Sequence, residues 1–267
     1  MHTHALTRKE LTDEIRIVTE RVAELVTLTP DTSRKVKNSE WTIGEMAAHL
    51  VVTKQVFRSV LHGAKSPYPG KTREIIAEKN ADFLKEYTIR DGNKLAELLL
   101  KRVNAFLRDT DKYPDGHTFS THYGVLTLPE GLAYCLCHLL MHGSAIALTL
   151  NKPFPISGKD IDFIFPFLQK VTPQVFDKQQ GKHLVASFVI DLTNGPQFAL
   201  IIDNGTVILT KNIPSKIDCH ISADPQAYFL VSSGIIRQWK PFLTGKIFVW
   251  GRKPWLILKI KSLFPNP

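Results

Sequence analysis

His138 and His142 stand four residues apart in the segment Leu136-Cys137-His138-Leu139-Leu140-Met141-His142-Gly143. On a helix that spacing puts two imidazoles on one face, ~6 Å apart along the axis, where they can share one cation. Paired helical histidines of this kind make half of many zinc sites. A third histidine, His49, lies in a separate apolar stretch, Met46-Ala47-Ala48-His49-Leu50. Three protein ligands leave a coordination position open, which is the arrangement of a catalytic zinc site rather than a structural one. A single histidine on an apolar face is more commonly a hydrogen-bonded core residue. Three at matching positions shift the expectation to a divalent metal, with zinc first.

The elements that must carry these residues are legible from their periodicity. Leu11, Ile15, Val18, Val22 and Leu25 repeat at helical spacing, with Asp13, Arg16, Glu20 and Glu24 on the opposite side. A second helix opens at the capping box Thr42-x-x-Glu45, with Trp41 just outside it. Its stripe of Met46, His49, Leu50, Thr53, Phe57, Val60 and Leu61 turns His49 inward. Further helices are predicted over 72–87 and 93–108, and a last one from Pro129 to about Leu150. The simplest assembly is a bundle of four principal helices with one shorter helix beside it.

The rhythm changes at Asn151-Lys152-Pro153-Phe154-Pro155, dividing the chain into domains at 1–155 and 156–267. Residues 160–175 read as helix, although Pro166 and Pro173 make its extent doubtful. Strands are expected over 184–192, 197–202, 206–210, 217–221 and 246–250, with turn signals at Asn194-Gly195 and Asp203-Asn204-Gly205. Helices are expected over 225–232 and 253–263. The fold class is therefore α followed by α+β, with a mainly antiparallel sheet.

Composition bounds the function. Hydrophobic residues make up 43% of 267, enough for packed cores. No apolar run reaches the ~20 residues of a membrane span, so no transmembrane segment is expected. The polar start is no signal peptide, and His2 and His4 belong to its tail. Cys135, Cys137 and Cys219 are odd in number and suit reduced thiols, which points to a cytoplasmic protein. The net charge of +9 is spread along the chain, which argues against a nucleic-acid-binding face. The one local excess is Arg237, Lys240, Lys246, Arg252, Lys253, Lys259 and Lys261. That excess reads as a solvated surface or as attraction to an anionic ligand or membrane.

Trp41-Thr42-Ile43-Gly44-Glu45-Met46-Ala47-Ala48-His49-Leu50, and Tyr123 through Gly143, resemble the ligand-bearing helices of the superfamily of DinB and mycothiol-dependent maleylpyruvate isomerase. Ile221-Ser222-Ala223-Asp224-Pro225 and Gly245-Lys246-Ile247-Phe248-Val249-Trp250-Gly251 resemble the sterol-carrier-protein-2 (SCP2) fold. The resemblance implies a DinB-like four-helix bundle followed by an SCP2-like domain. It also implies a divalent metal, zinc or nickel, held by His49, His138 and His142, and a low-molecular-weight thiol as cosubstrate. The activity implied is a thiol transfer or isomerisation on a small electrophile. His138 stands where the maleylpyruvate isomerases place Glu, and Ala145 where many relatives have Asp, so the site resembles the three-histidine DinB type.

Three further residues are candidates for catalytic roles. His122, just before the last helix, could reach the metal pocket as a base. Arg237 and Arg252, with Trp239 and Trp250, are candidates for the seam between domains, where an arginine fork could grip a carboxylate. Two other readings stay open: metal-dependent hydrolysis, with water in the free position, and binding of a lipid or other apolar ligand beside a non-catalytic bundle. The strands of the second domain and the helix carrying Tyr228 could line a tunnel for such a ligand or simply fill their own core.

Overall fold

A computed structural model describes residues 6–70 and 72–265, so His2 and His4 lie outside the described residues. The chain divides between Phe154 and Pro155 into two compact units.

The first unit is built on α1 (Arg8–Thr27), α2 (Ile43–Leu61), α3 (Arg73–Glu86), α4 (Gly92–Thr110) and α5 (Leu128–Leu150), with a hairpin of β1 (Thr118–Thr121) and β2 (Gly124–Thr127) ahead of α5. α1 packs on α4 and α5, and α2 packs on the same two, so four long helices close a ring around one core. Each carries the stripe that this requires. Leu11, Ile15, Val18, Val22 and Leu25 are buried on α1, and Leu95, Leu99, Val103 and Phe106 on α4. α2 starts where its capping box dictates: Glu45 N donates to Thr42 Oγ1 at 3.1 Å while Thr42 N donates to Glu45 Oε2 at 2.8 Å. Gly143 lets α5 approach closely, since a Cβ there would stand 2.7 Å from Val22 Cγ2 and 2.6 Å from Phe154 Cζ.

α5 bears on the expectation that no segment spans a membrane. Its 23 residues are long and apolar enough to cross a membrane by length and composition, although 72% of its most apolar window is buried inside the protein. The single polar residues that break its apolar runs, His138 and His142 among them, masked that length in the sequence.

The second unit holds α6 (Gly158–Val175), β3 (Val185–Leu192), β4 (Gln197–Asp203), β5 (Thr206–Thr210), β6 (Cys219–Ala223), α7 (Pro225–Ser232), α8 (Trp239–Leu243), β7 (Ile247–Trp250) and α9 (Ile257–Leu263). The strands form one sheet in the order β5-β4-β3-β6-β7, antiparallel except for the parallel β3–β6 pair. α6 runs through Pro166 and Pro173 because both lie on its solvent side, where water can take the carbonyls they leave unpaired. Its opposite side buries Ile161, Phe163, Ile164, Phe165 and Phe167. Phe165 meets Phe198 of the sheet at 5.3 Å between ring centres, and Phe198 in turn meets Tyr228 of α7 at 5.6 Å. Phe165 and Phe198 are buried, and Tyr228 is half-buried. The closing helix expected over 253–263 starts as a short 3-10 turn, Pro254–Leu256, before α9. The β1–β2 hairpin and α8 were not anticipated.

Candidate metal centre

His49 on α2 and His138 and His142 on α5 offer ring nitrogens that all lie within 4.8 Å of one another. His49 Nε2 and His138 Nε2 are 3.0 Å apart. Ligands ~2.05 Å from a tetrahedral zinc are ~3.3 Å from one another, so small adjustments suit this cluster to one ion. The ring centres are 4.5 Å apart for His138–His142 and 5.0 Å for each pairing with His49. His49 and His138 are buried and His142 is half-buried, so the cluster reaches toward solvent on the His142 side.

The walls are aromatic. Trp41, set just before the Thr42 cap by a bridge between Lys35 and Thr42, places its ring 4.7 Å from His49 and 6.1 Å from His142. Tyr134 and Phe57 flank His138 at 5.9 and 6.2 Å. In this apolar setting burial holds the imidazoles of His49 and His138 well below the ordinary histidine range, and lowers that of His142 to about 3. All three are therefore neutral at pH 7, as a metal ligand must be. Three neutral imidazoles with no carboxylate among them fit a borderline cation such as zinc or nickel better than calcium or magnesium.

Lys54 was not anticipated. Its side chain is fully buried on α2, with Nζ 3.4 Å from both the carbonyl oxygen of Cys135 and Nδ1 of His138, and 4.6 Å from the Phe57 ring centre. An outer carboxylate commonly orients a metal-ligating histidine; here an amine faces the outer nitrogen of His138. Burial pushes the Lys54 amine below its usual pKa. A lysine shifted that way costs stability at every pH below its folded value, and the cost fades as pH rises through the ordinary lysine range. Lys54→Met, of similar length and without the amine, is therefore expected to stabilise the metal-free protein by about 1–3 kcal/mol. That is a rise of several degrees in thermal midpoint; a lower midpoint would mean that Cys135 O and His138 Nδ1 repay the burial of the amine.

His122 sits at the tip of the β1–β2 hairpin, which docks on α5 where Gly131 leaves room for the Phe119 ring. It does not join the three histidines. Its Nε2 is 3.5 Å from the Tyr134 hydroxyl, so Tyr134 stands between it and His138. Burial lowers its pKa to about 4. The tilted ring of Tyr68 lies 4.7 Å from it and that of Tyr123 4.1 Å, and Tyr68 donates to Asn80 Oδ1 at 2.8 Å. Cys135 and Cys137 are free thiols outside the ligand cluster, and burial raises that of Cys137 to about 12. Arg237 and Arg252 belong to the second unit, and both are exposed.

No family model matches the sequence, and no curated protein matches it. Solved structures do. A point mutant of the mycothiol-dependent maleylpyruvate isomerase aligns with a TM-score of 0.57 at 15% identity, over 92% of this chain and 94% of that one. A second structure of the isomerase aligns at 0.56 and 17% identity, over 88% and 92%. Identity this low speaks to fold alone, and it covers both units. The chain is thus similar in fold, over nearly its whole length, to the mycothiol-dependent maleylpyruvate isomerase.

Proposed function

We propose that the chain is a divalent-metal-dependent enzyme that joins a low-molecular-weight thiol to a small electrophile, in a transfer or as a transient adduct that allows isomerisation. The observation that carries this reading is the cluster of three neutral imidazoles from two helices, lined by aromatic rings, in a chain with the isomerase fold. In this reading the first unit is a DinB-like bundle and the second an SCP2-like domain, and the protein works in the cytoplasm.

His49, His138 and His142 are the ligands, with zinc the first choice and nickel the second. When bound, such an ion supplies Lewis acidity that lowers the pKa of a thiol and makes it a nucleophile at neutral pH. Trp41 and Tyr134 exclude water from the ring nitrogens and shape the space available to an electrophile. His122, neutral at pH 7 and 3.5 Å from the Tyr134 hydroxyl, is the candidate base. Arg237 and Arg252 are the candidates for pairing with a carboxylate on the thiol or the electrophile.

Elemental analysis of the purified chain, followed by conjugation assays with mycothiol, bacillithiol, glutathione and coenzyme A, tests the reading. The expected result is one divalent ion per chain and turnover with one of these thiols that is lost on chelation and restored by the ion. A chain that takes up no zinc or nickel even when supplied with them overturns it.

A further inference from the structure

The net charge of the protein is not spread evenly. After Asp224 the chain has seven Lys or Arg and no Asp or Glu, so seven of the nine net positive charges fall in its last 43 residues. The same stretch holds three of the four tryptophans. It also leaves several of its large apolar side chains in water: Trp239 is 55% exposed, Leu243 78%, Phe248 60%, Trp255 59% and Leu258 75%. A solvated basic surface explains the lysines but not these side chains, and a folded unit has no reason of its own to leave them out.

The segments that carry them are tied together. Gln238 Nε2 donates to Ile257 O at 3.0 Å, joining the start of α8 to the start of α9. Lys246 N donates to Pro241 O at 2.9 Å, joining α8 to the edge strand β7. The start of α8, with Trp239, is thus tied to the junction of the turn that carries Trp255 and the helix α9 that carries Leu258, and the end of α8, with Leu243, leads directly into the strand that carries Phe248. Lys240, Lys246, Lys259 and Lys261 are all exposed within these same segments.

We propose that α8, the edge strand β7 and α9 form a docking surface for an anionic lipid bilayer. Indole rings favour the headgroup zone, where an apolar body and a polar N–H are both satisfied, and leucines beside them reach the acyl boundary. Lysine stems lie along apolar surface while their ammonium groups stay with the headgroup phosphates. A nucleic acid would be met by the basic charge and the aromatic faces, but would leave Leu243 and Leu258 without a partner. No acidic residue lies within these segments, and Asp218, from outside them, pairs with Lys253 at 3.1 Å, leaving Lys240, Lys246, Lys259 and Lys261 to face a negative surface; a protein partner would commonly be met by both signs.

Sedimentation of the full chain with vesicles tests this independently of the metal centre. Binding is expected to phosphatidylcholine vesicles containing phosphatidylserine, to be at least tenfold weaker to phosphatidylcholine alone, and to fall with salt. Trp239→Ala with Leu258→Ala should lower it about tenfold, and Lys240→Gln with Lys259→Gln about 25-fold, at about fivefold for each lysine. Circular dichroism and the thermal midpoint of both double variants should match the parent. No binding to the serine-containing vesicles overturns the proposal, as does binding that both folded variants retain. Retention on single-stranded DNA without vesicle binding, or dimerisation that depends on Trp239 and Leu258 without it, also overturns it.

Discussion

Replacing His138 by Leu is expected to abolish stoichiometric metal binding while leaving the protein folded. His138 is engaged through both ring nitrogens, with His49 3.0 Å away on one side and Lys54 behind the other. Binding energies for structural zinc run near ~10–16 kcal/mol over four ligands, so one imidazole carries ~3 kcal/mol. Its loss should weaken binding by about two orders of magnitude or more, and thiol-dependent turnover should fall to background. Leucine fills a similar volume but leaves Lys54 Nζ and His49 Nε2 without one of their partners, so the metal-free variant should keep its helical circular dichroism with a somewhat lower midpoint. That separates loss of the site from loss of the fold. His122→Ala gives the contrast: Tyr134 keeps His122 away from the cluster, so this variant should keep its metal and lose turnover. Full metal occupancy in the His138 variant would remove the three-ligand assignment, and loss of metal in the His122 variant would widen it.

Much of this site could be read before any coordinates because its physical causes are local. The Thr42–Glu45 capping box sets the start of α2, and the three-four rhythm that follows it fixes His49 as buried. The four-residue spacing of His138 and His142 needs only a helix to become a pair. What the sequence withheld was long-range. The β1–β2 strands have four residues each, too few for an alternation to stand out, and the hairpin is held by the fit of Phe119 against Gly131 of α5. The place of His122, one ring away from the ligands, follows from that docking and from nothing in its own neighbourhood. Lys54 had a signal that general expectation overrode. Leu50, Lys54, Phe57 and Leu61 share one face of α2, but a lysine on such a face is ordinarily taken to reach water, and this one cannot. Trp41 was legible as a residue at the helix entrance. Its role as a lid over His49 and His142 depends on α5 arriving beside it.

The same burial predicts an unusual sensitivity to acid. His49 and His138 titrate well below the ordinary range, His142 at about 3 and His122 at about 4, in each case because the folded interior disfavours the charged ring. In the unfolded chain all four take up protons near pH 6.5. The unfolded state therefore binds more protons below that pH, and stability, intact above it, is lost as pH falls from 6.5 toward 4. Each group contributes up to ~1.4 kcal/mol per pH unit, so four together can remove several kcal/mol by pH 5, a large share of the ~5–15 kcal/mol typical of a folded protein. Asp109 works in another window. Lys112, Arg58 and His62 hold its carboxyl below the usual carboxylate range, so its contribution is lost only below about pH 4 and does not mask the histidine effect. Urea unfolding of the metal-free protein should show much lower stability at pH 5 than at pH 7. In His49→Leu/His138→Leu/His142→Leu most of that difference should vanish, because of these four only His122 remains. A bound ion should shift the loss to lower pH, since it binds the folded state and must be displaced by protons. An equal pH dependence in parent and triple variant would mean that the imidazoles are less secluded than their packing against Trp41, Phe57 and Tyr134 requires.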